Sequence, residues 1–344
     1  MIMMMRTLRR TLLALAVLAF APCATATVKW TETATVAESR AAWGRLARLH
    51  DGRWLAVTTR FHDDAPSTLA ISVSDARGRE WTPLSSVAEP GRKIDNGELF
   101  VLPGGRVLLG MRSLIDGESY RLNVHASDDD GRTWRFLSTI DRNEDPRGRK
   151  DRGVWEPVFT QLADGALSVL YADETLADGT PSYNQVVSQR LSRDGGRTWG
   201  AKSILVKEPG GGKLRPGMPV MSRMRDGRYL LVFETCGDDP QCPVSTKTSK
   251  DGVTWPEGLG TPLAGQRCGP QLTTTTRGTV FVTSCQNEVT FSDDDGATWQ
   301  RVTQPAWPFG FRHTWPAVYQ FGPDEIGVIN GVPGGGVKIR FGTF

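Results

Sequence analysis

The sequence predicts an all-β protein folded as a six-bladed β-propeller. Three observations lead to this prediction: the composition, one short motif that recurs along the chain, and a strand–turn–strand pattern that occurs six times. The 344 residues include 38 Gly, 21 Pro and 11 Trp, a composition typical of short strands joined by tight turns and anchored by aromatic rings. Segments with helical periodicity are scarce, which favours the all-β class.

The first 26 residues have the features of a secretory signal peptide. A basic segment at residues 6–10 precedes an apolar run at 12–20, and small residues at 24–26 form a cleavage site. The apolar run is too short to span a membrane. We therefore expect an exported protein, periplasmic or extracellular, in which residues 27–344 form a single propeller domain.

Removal of the signal peptide would leave four cysteines, Cys236, Cys242, Cys268 and Cys285. An even number of cysteines in an exported chain favours disulfides. Proximity in the sequence favours the pairs Cys236–Cys242 and Cys268–Cys285, although four cysteines allow three connectivities.

The recurring motif is Ser/Thr-x-Asp-x-Gly-x-Thr-Trp. It is intact at residues 127–134, 192–199 and 292–299, and degenerate at 74–81 and 249–255. In such a segment Ser and Asp can bond turn amides, Gly permits the turn, and Trp buries its ring between strands. The acidic residues of the motif are therefore expected to be structural and not catalytic.

Neither a metal nor an organic cofactor is predicted. The acidic turns lack a carboxylate at the twelfth position of a calcium loop, where Thr139 and Gln304 stand. Residues 210–213 fail as a phosphate loop because Leu214 follows in place of Ser or Thr. A formal net charge of +3 gives no electrostatic reason to expect a nucleic-acid partner.

The second repeat is an apolar strand, a tight turn and another apolar strand. It alternates with the motif, so each blade is predicted to consist of an inner hairpin followed by an outer one. The six copies are residues 46–57, 99–111, 159–171, 221–233, 272–282 and 318–329.

Alignment of these copies on the turn places one residue of each blade just before its innermost strand. A propeller brings these six positions together around the mouth of the central channel. A purely structural position would keep similar residues, whereas this set is dissimilar, which indicates a functional rim. The six residues are Trp43, Asn96, Glu156, Met218, Gly269 and Trp315.

Glu156 is the only carboxylate of this set, and the same face is predicted to receive Glu234 from the end of the second strand of blade four. Two carboxylates from adjacent blades, with aromatic rings nearby, are the groups needed to cleave a glycosidic bond in an oligosaccharide or polysaccharide. Asp95, Asp173 and Glu174 lie close in the predicted arrangement and are alternatives for either role.

Several arginines and aromatic residues are candidates for binding the sugar. The alternative for each is a structural role, as a bridge between blades or as plain packing. The candidates are Arg45, Arg60, Arg112, Arg215, Arg312, Trp155, Trp315, Tyr171 and Tyr183.

The motif resembles the Asp-box of the sialidase superfamily, whose members are six-bladed propellers. A narrower resemblance, to exo-acting α-L-arabinanases, rests on residues 153–157, 171–174, 185–199, 215–219 and 229–234. That family uses two glutamates in retaining hydrolysis, and the resemblance places them at Glu156 and Glu234 without assigning the nucleophile or the acid. It also matches Asn96 and Arg112 to the Asn…Arg pattern of the family's second blade.

Two other functions stay open from the sequence alone. A sialidase would need three arginines, for which Arg45, Arg215 and Arg312 are available, together with a tyrosine nucleophile. The last innermost strand instead begins near Trp315, and Tyr319 lies within it. The other possibility is a propeller that binds a glycan or protein on the same face without catalysis.

Overall fold

The computed structural model describes residues 27–308 and 314–344. These residues form six four-stranded antiparallel sheets, which confirms the predicted six-bladed propeller. Nowhere in the two described ranges is there a helix with the length and hydrophobicity to cross a bilayer. The predicted signal peptide, residues 1–26, lies outside the described residues, as does Arg312.

Blades one to three follow one another along the chain. Blade one consists of β2 (Ala41–Arg48), β3 (Trp54–Arg60), β4 (Thr68–Ser74) and β5 (Trp81–Val87). Blade two consists of β6 (Lys93–Val101), β7 (Val107–Ile115), β8 (Ser119–Ser127) and β9 (Arg135–Asn143). Blade three consists of β10 (Val154–Gln161), β11 (Leu167–Asp173), β12 (Val186–Ser192) and β13 (Ser203–Val206).

Blades four to six complete the ring. Blade four consists of β14 (Arg215–Arg223), β15 (Tyr229–Cys236), β16 (Pro243–Ser249) and β17 (Thr261–Arg267). Blade five consists of β18 (Gln271–Thr274), β19 (Val280–Thr283), β20 (Val289–Ser292) and β21 (Gln300–Arg301). Blade six consists of β22 (Ala317–Gly322), β23 (Glu325–Val332), β24 (Gly336–Thr343) and β1 (Lys29–Ala37).

Blade six is built from both ends of the described chain. Strand β1 pairs antiparallel with β24, from Lys29 opposite Thr343 to Ala37 opposite Val337. Its Ala34 and Val36 are buried in the same apolar cluster as residues of β2 and β24. The first strand thus closes the ring onto the last blade, a closure that the two sequence repeats do not predict.

The recurring motif forms the turn between the third and fourth strands of a blade, as expected. In residues 127–134, Asp129 accepts hydrogen bonds from the amide and hydroxyl of Thr133, at 2.9 and 2.6 Å, and Ser127 accepts one from Gly131 N at 2.8 Å. These bonds stabilise the carboxylate and lower the pKa of Asp129 to about 2. The carboxylate of Asp129 therefore has a structural role in the turn.

The hydrophobic core lies between neighbouring blades. Six apolar clusters are found among the described residues, each composed of residues of one blade packed against those of the next. The predicted disulfides are confirmed as Cys236–Cys242 and Cys268–Cys285.

Closure by β1 predicts a strong effect of one inward-facing substitution. We expect Val36→Asp to lower the free energy of unfolding by about 3 kcal/mol or more, because it buries a carboxylate without a partner. Thr33→Asp, on an exposed position of the same strand, is the matched control and should change stability by no more than about 0.5 kcal/mol. Chemical denaturation measures both, and equal effects would contradict the closure.

Candidate active site

In five of the six blades the first strand begins with the same distortion. Trp43, Asn96, Glu156 and Met218 have φ of 56, 49, 57 and 49°, and Gly269 has φ of 48°. In the first four blades the pairing register between the first and second strands also shifts at this point. A β-bulge of this kind re-aims a side chain away from the regular alternation of the strand. The rim predicted from the alignment is thus a ring of left-handed residues.

Because the distortion is common to five blades, it belongs to the fold. What differs between blades is the side chain, and blade three alone carries an acid there. Backbone strain of this kind costs of order 1–3 kcal/mol for a residue other than glycine. The strained backbone at Glu156 fixes the position of this carboxyl.

The structure brings Glu156 and Glu234 together in one cavity of about 270 Å³. This volume is just below the range of roughly 300–1,000 Å³ typical of small-molecule sites, so the cavity suits a ligand of one or two sugar rings. It lies between blades two, three and four, and its lining residues are Arg112, Trp155, Glu156, Gln185, Arg215, Glu234 and Cys236.

Glu156 is half-buried and makes no ion pair with any described residue. Burial, followed by the negative charge of Glu234, raises its pKa to about 8, and Arg112 only partly offsets these effects. The side chain is therefore protonated over much of the neutral range. A carboxyl with this property can donate a proton to a ligand.

Glu234 is also half-buried and also lacks an ion pair among the described residues. Its Oε2 accepts a hydrogen bond of 2.6 Å from Gly269 N. Burial raises its pKa to about 7, while this hydrogen bond and the charge of Arg215 act in the opposite direction. Two coupled carboxyls with pKa values near neutrality hold about one proton between them at pH 7.

Both arginines of the cavity are already neutralised by other acids. Arg112 donates to both carboxylate oxygens of Asp95, with Nε at 2.5 Å from Oδ1. Arg215 donates from Nη2 to Glu174 at 2.6 Å and to Gln185 Oε1 at 2.7 Å. The alternatives Asp95 and Glu174 are thus held in ion pairs, in contrast to Glu156 and Glu234.

Asp173, the third alternative, is fully buried and bonded to Lys202 at 2.7 Å and to Ser188 at 2.9 Å. Tyr171 is buried as well, and its hydroxyl donates to Asp141 at 2.6 Å. Neither side chain lines the cavity, because Asp173 is bonded within blade three and Tyr171 packs between blades two and three.

Two predicted binding residues occupy different environments from those expected. Arg45 is only 2 % exposed, lies 4.4 Å over the ring of Trp43, and donates to the carbonyl of Trp315 at 3.0 Å. It is thereby committed to joining blade one to blade six. The rings of Trp315 and Trp43 lie 5.3 Å apart, and neither lines the cavity.

The remaining candidates lie at different distances from the cavity. Trp155 lines it, with the guanidinium of Arg112 4.6 Å above its ring. Asn96 and Tyr183 are half-buried and outside the cavity lining; Lys207 lies 5.6 Å from the ring of Tyr183. Arg60 donates to Ser39 O at an exposed site.

Two lining residues were not predicted. Gln185 immediately precedes the third strand of blade three, and its Nε2 donates to Pro216 O at 3.0 Å. Cys236 ends β15 and is joined to Cys242. Gln185 could have been found, because the start of a third strand shares its face with the start of a first strand. Glu234, Cys236 and Cys242 are also close enough to suggest a metal site, but the disulfide removes both thiolates.

Comparison with known proteins supports the fold. No protein-family model matches the chain, and no curated protein matches it either. Among solved structures, an α-L-arabinofuranosidase of Fusarium graminearum with arabinobiose is 19 % identical, with a TM-score of 0.78 and coverage of 91 % of this chain and 97 % of that one. The chain has a sialidase-like propeller fold. An α-L-arabinanase of Penicillium chrysogenum with arabinobiose gives 22 % identity, a TM-score of 0.78 and coverage of 91 and 98 %.

A sialidase of Streptococcus pneumoniae is more distant, with 12 % identity, a TM-score of 0.63 and coverage of 91 % of this chain and 69 % of that one. The resemblance read from the sequence thus agrees with the structural neighbours of this sialidase-like propeller.

The raised pKa of Glu156 predicts a gain in stability when the charge is removed. A carboxyl whose pKa is raised from 4.5 to about 8 on folding contributes stability that is present at low pH and lost as pH rises between these values. Glu156→Gln should therefore be more stable than the unmodified protein at pH 8.5, by about 1–3 kcal/mol after allowing for solvent screening, and nearly equal at pH 4.5.

Glu118→Gln, at an exposed turn, serves as the control for this comparison. Urea unfolding at both pH values measures the difference. A gain at Glu156 that does not depend on pH would contradict the explanation from ionisation.

The Cys268–Cys285 disulfide should influence Glu234 through Gly269, which directly follows Cys268. Cys268 N also donates to Cys242 O at 2.8 Å, and Cys285 N donates to Cys268 O at 3.0 Å. We expect the double variant Cys268→Ser/Cys285→Ser to raise the pKa of Glu234, because the Gly269 amide is no longer held against the carboxylate. Titration of the ¹³C-labelled carboxyl by NMR measures this, and an unchanged pKa in a folded variant would show that the disulfide plays no part.

Proposed function

We propose that this protein is an exported glycoside hydrolase that uses Glu156 and Glu234 to cleave a neutral glycan, with exo-hydrolysis of arabinan favoured. The observation that carries the proposal is the pair itself: two half-buried carboxyls in one cavity, neither of them in an ion pair with a described residue. Hydrolysis of a glycoside requires one protonated and one ionised carboxyl, and this pair holds about one proton near pH 7.

In the retaining mechanism that we propose, the ionised glutamate attacks the anomeric carbon and forms a glycosyl ester. The protonated glutamate gives its proton to the leaving oxygen as the glycosidic bond breaks. It then takes a proton from water, whose oxygen attacks the anomeric carbon and releases the first carboxylate. Exclusion of bulk water from the half-buried pair strengthens both interactions.

A neutral substrate is supported by the state of the arginines. Arg112 and Arg215 line the cavity, but each is bonded to a carboxylate, Asp95 and Glu174 respectively. With the two glutamates added, the described residues around the cavity have no excess positive charge to hold the carboxylate of a sialoside. Neutral hydroxyls can still accept from these guanidinium groups, and the indole of Trp155 offers an apolar surface to a sugar ring.

The sialidase alternative lacks a tyrosine nucleophile among the described residues that line this cavity. Tyr319, the tyrosine of the last innermost strand, accepts a hydrogen bond from Leu46 N at 3.0 Å, and burial raises its pKa above the ordinary value of the phenol. It is absent from the cavity lining, and a buried phenol of raised pKa is a poor nucleophile.

The choice of arabinan rests on the neighbours and on the sequence motifs. The Fusarium and Penicillium proteins are an arabinofuranosidase and an arabinanase, each bound to arabinobiose. We therefore infer that arabinobiose or a related neutral disaccharide is the product. Export through the signal peptide at residues 1–26, leaving a single mature domain, is part of the proposal and agrees with the two disulfides.

Turnover of a chromogenic α-L-arabinobioside tests the proposal, with an α-sialoside as the competing substrate. We expect arabinobiose release to fall by at least about 10³-fold in Glu156→Ala and in Glu234→Ala. Azide should restore product formation in both variants, giving glycosyl azides of opposite anomeric configuration, because it replaces the nucleophile in one case and the water of the second step in the other.

The result also distinguishes the alternatives. Two azide products of the same configuration, or no rescue, would contradict the retaining mechanism. Cleavage of the sialoside would contradict the carboxylate pair. Absence of turnover with every neutral arabinoside, by a folded protein, would favour a propeller that only binds its ligand.

A further inference from the structure

A second cavity, of about 430 Å³, lies between blades four and five. It is lined by the third and fourth strands of blade four and by the motif turn of blade five. Motif turns join third to fourth strands, so they lie on the opposite face of the propeller from the beginnings of the first strands. This groove, which we call the blade-four/five groove, is therefore separate from the cavity that holds Glu156 and Glu234.

The repeat itself shows what is unusual about this groove. In four of the five motif turns, the carbonyl of the turn glycine accepts a side-chain hydrogen bond. In three of these the donor belongs to the preceding blade, so the bond closes the junction between two blades, and in blade one the donor is the tryptophan of the same turn. The pairs of donor and glycine are Trp81 and Gly78 at 2.9 Å, Ser85 and Gly131 at 2.5 Å, Ser138 and Gly196 at 2.5 Å, and Gln189 and Gly252 at 2.8 Å.

The fifth turn lacks this bond. Within the described residues Gly296 O accepts no hydrogen bond and Trp299 Nε1 donates none, although both residues line the groove. The turn is otherwise formed normally, since Asp294 accepts from the amide and hydroxyl of Thr298 at 2.8 and 2.6 Å. The missing bond is therefore a property of the junction and not of a misfolded turn.

The sequence of blade four explains the difference. In blades one and two, the serine that donates to the turn glycine of the next blade stands four residues after the motif tryptophan. Ser85 follows Trp81 in this way, as Ser138 follows Trp134. Four residues after Trp255 the chain has Leu259, which packs into the apolar cluster between blades three and four. No hydroxyl is supplied there. Thr246, which stands where blade three has Gln189, donates to Thr261 O of its own blade, so the junction stays open.

The charged residues that line the groove are two of each sign, Lys247 and Arg228 against Glu257 and Asp295. Lys247 is 5 % exposed, and its Nζ donates to Leu205 O at 3.0 Å and to Pro256 O at 2.7 Å. Arg228 is bonded to Asp226 at 2.5 Å. The groove therefore has little electrostatic attraction for an anion.

The groups left for a ligand are neutral donors and acceptors beside an aromatic ring. The hydroxyls of Thr248 and Thr261 make no hydrogen bond to a described residue, and neither do the indole N–H of Trp299 and the carbonyl of Gly296. A sugar hydroxyl both donates and accepts, so one such group can satisfy an adjacent donor and acceptor, while ring C–H groups contact the indole.

We propose that the blade-four/five groove binds a neutral oligosaccharide chain. Its position on the face opposite the carboxylate pair means that it holds a different stretch of glycan from the one in the cavity. In a polysaccharide-degrading enzyme such a site keeps the protein on its polymer and raises the local concentration of chain ends. Binding at the groove does not require that the protein hydrolyse anything.

The test follows the Trp299 indole ¹⁵N–¹H resonance, assigned by its loss in Trp299→Phe. Glu156→Gln/Glu234→Gln protein is titrated with arabinohexaose, xylohexaose and cellohexaose, and with trigalacturonate as an anionic comparison. We expect a saturable shift with at least one neutral hexasaccharide and none with trigalacturonate. Thr248→Val, which keeps the side-chain shape, should weaken that affinity by about fivefold through loss of one hydrogen bond.

Trp199→Phe is the matched control, because Trp199 occupies a sealed turn and donates to Ser138 Oγ at 3.0 Å. It should leave the affinity unchanged. No shift with any neutral hexasaccharide up to about 10 mM, which would still detect millimolar binding, would overturn the proposal. A shift produced only by trigalacturonate, or equal weakening by Trp199→Phe, would overturn it as well. Turnover of a small aryl glycoside by Trp299→Phe should stay unchanged, so this test and that of the hydrolase are independent.

Discussion

The left-handed residue at the beginning of five of the six innermost strands is the constraint on which the candidate site depends. A regular strand would alternate its side chains between the two faces of a blade, and none of them would point to the mouth of the channel. The bulge at Glu156 breaks this alternation and places a carboxyl there. Glu234 needs no such distortion, because it lies on the second strand of the adjacent blade, opposite the bulge of its own first strand.

The surroundings then decide the chemistry of the two carboxyls. Asp95 and Glu174 lie close to the same cavity, yet each is bonded to an arginine and is thereby fixed as a partner. Glu156 and Glu234 have no such cation and are partly removed from water, so burial sets their pKa values. The same residue type thus acts as a structural ion in one position and as a titrating group a few ångströms away.

The sequence was sufficient for the architecture because the propeller is a repeat. Two periodic motifs, each with a physical reason for its residues, predicted six blades, the inner and outer hairpins, and the rim that holds Glu156. Nearest-neighbour cysteines predicted both disulfides. The features that could not be predicted depend on contacts between blades. Examples are the burial of Arg45 against Trp315 O and the pairing of Arg215 with Glu174.

Closure of the ring by β1 also constrains the order in which the molecule can form. Lys29 and Thr343, which face each other in blade six, are separated by nearly all of the described residues, so this contact has the greatest loop-closure entropy of the fold. Strand β1 is synthesised before β24 and has no partner until β24 is available, and an unpaired strand readily recruits foreign strands. A chain built in this way gains from staying unfolded until its last strand is available, which is the condition in which exported proteins are threaded through a membrane.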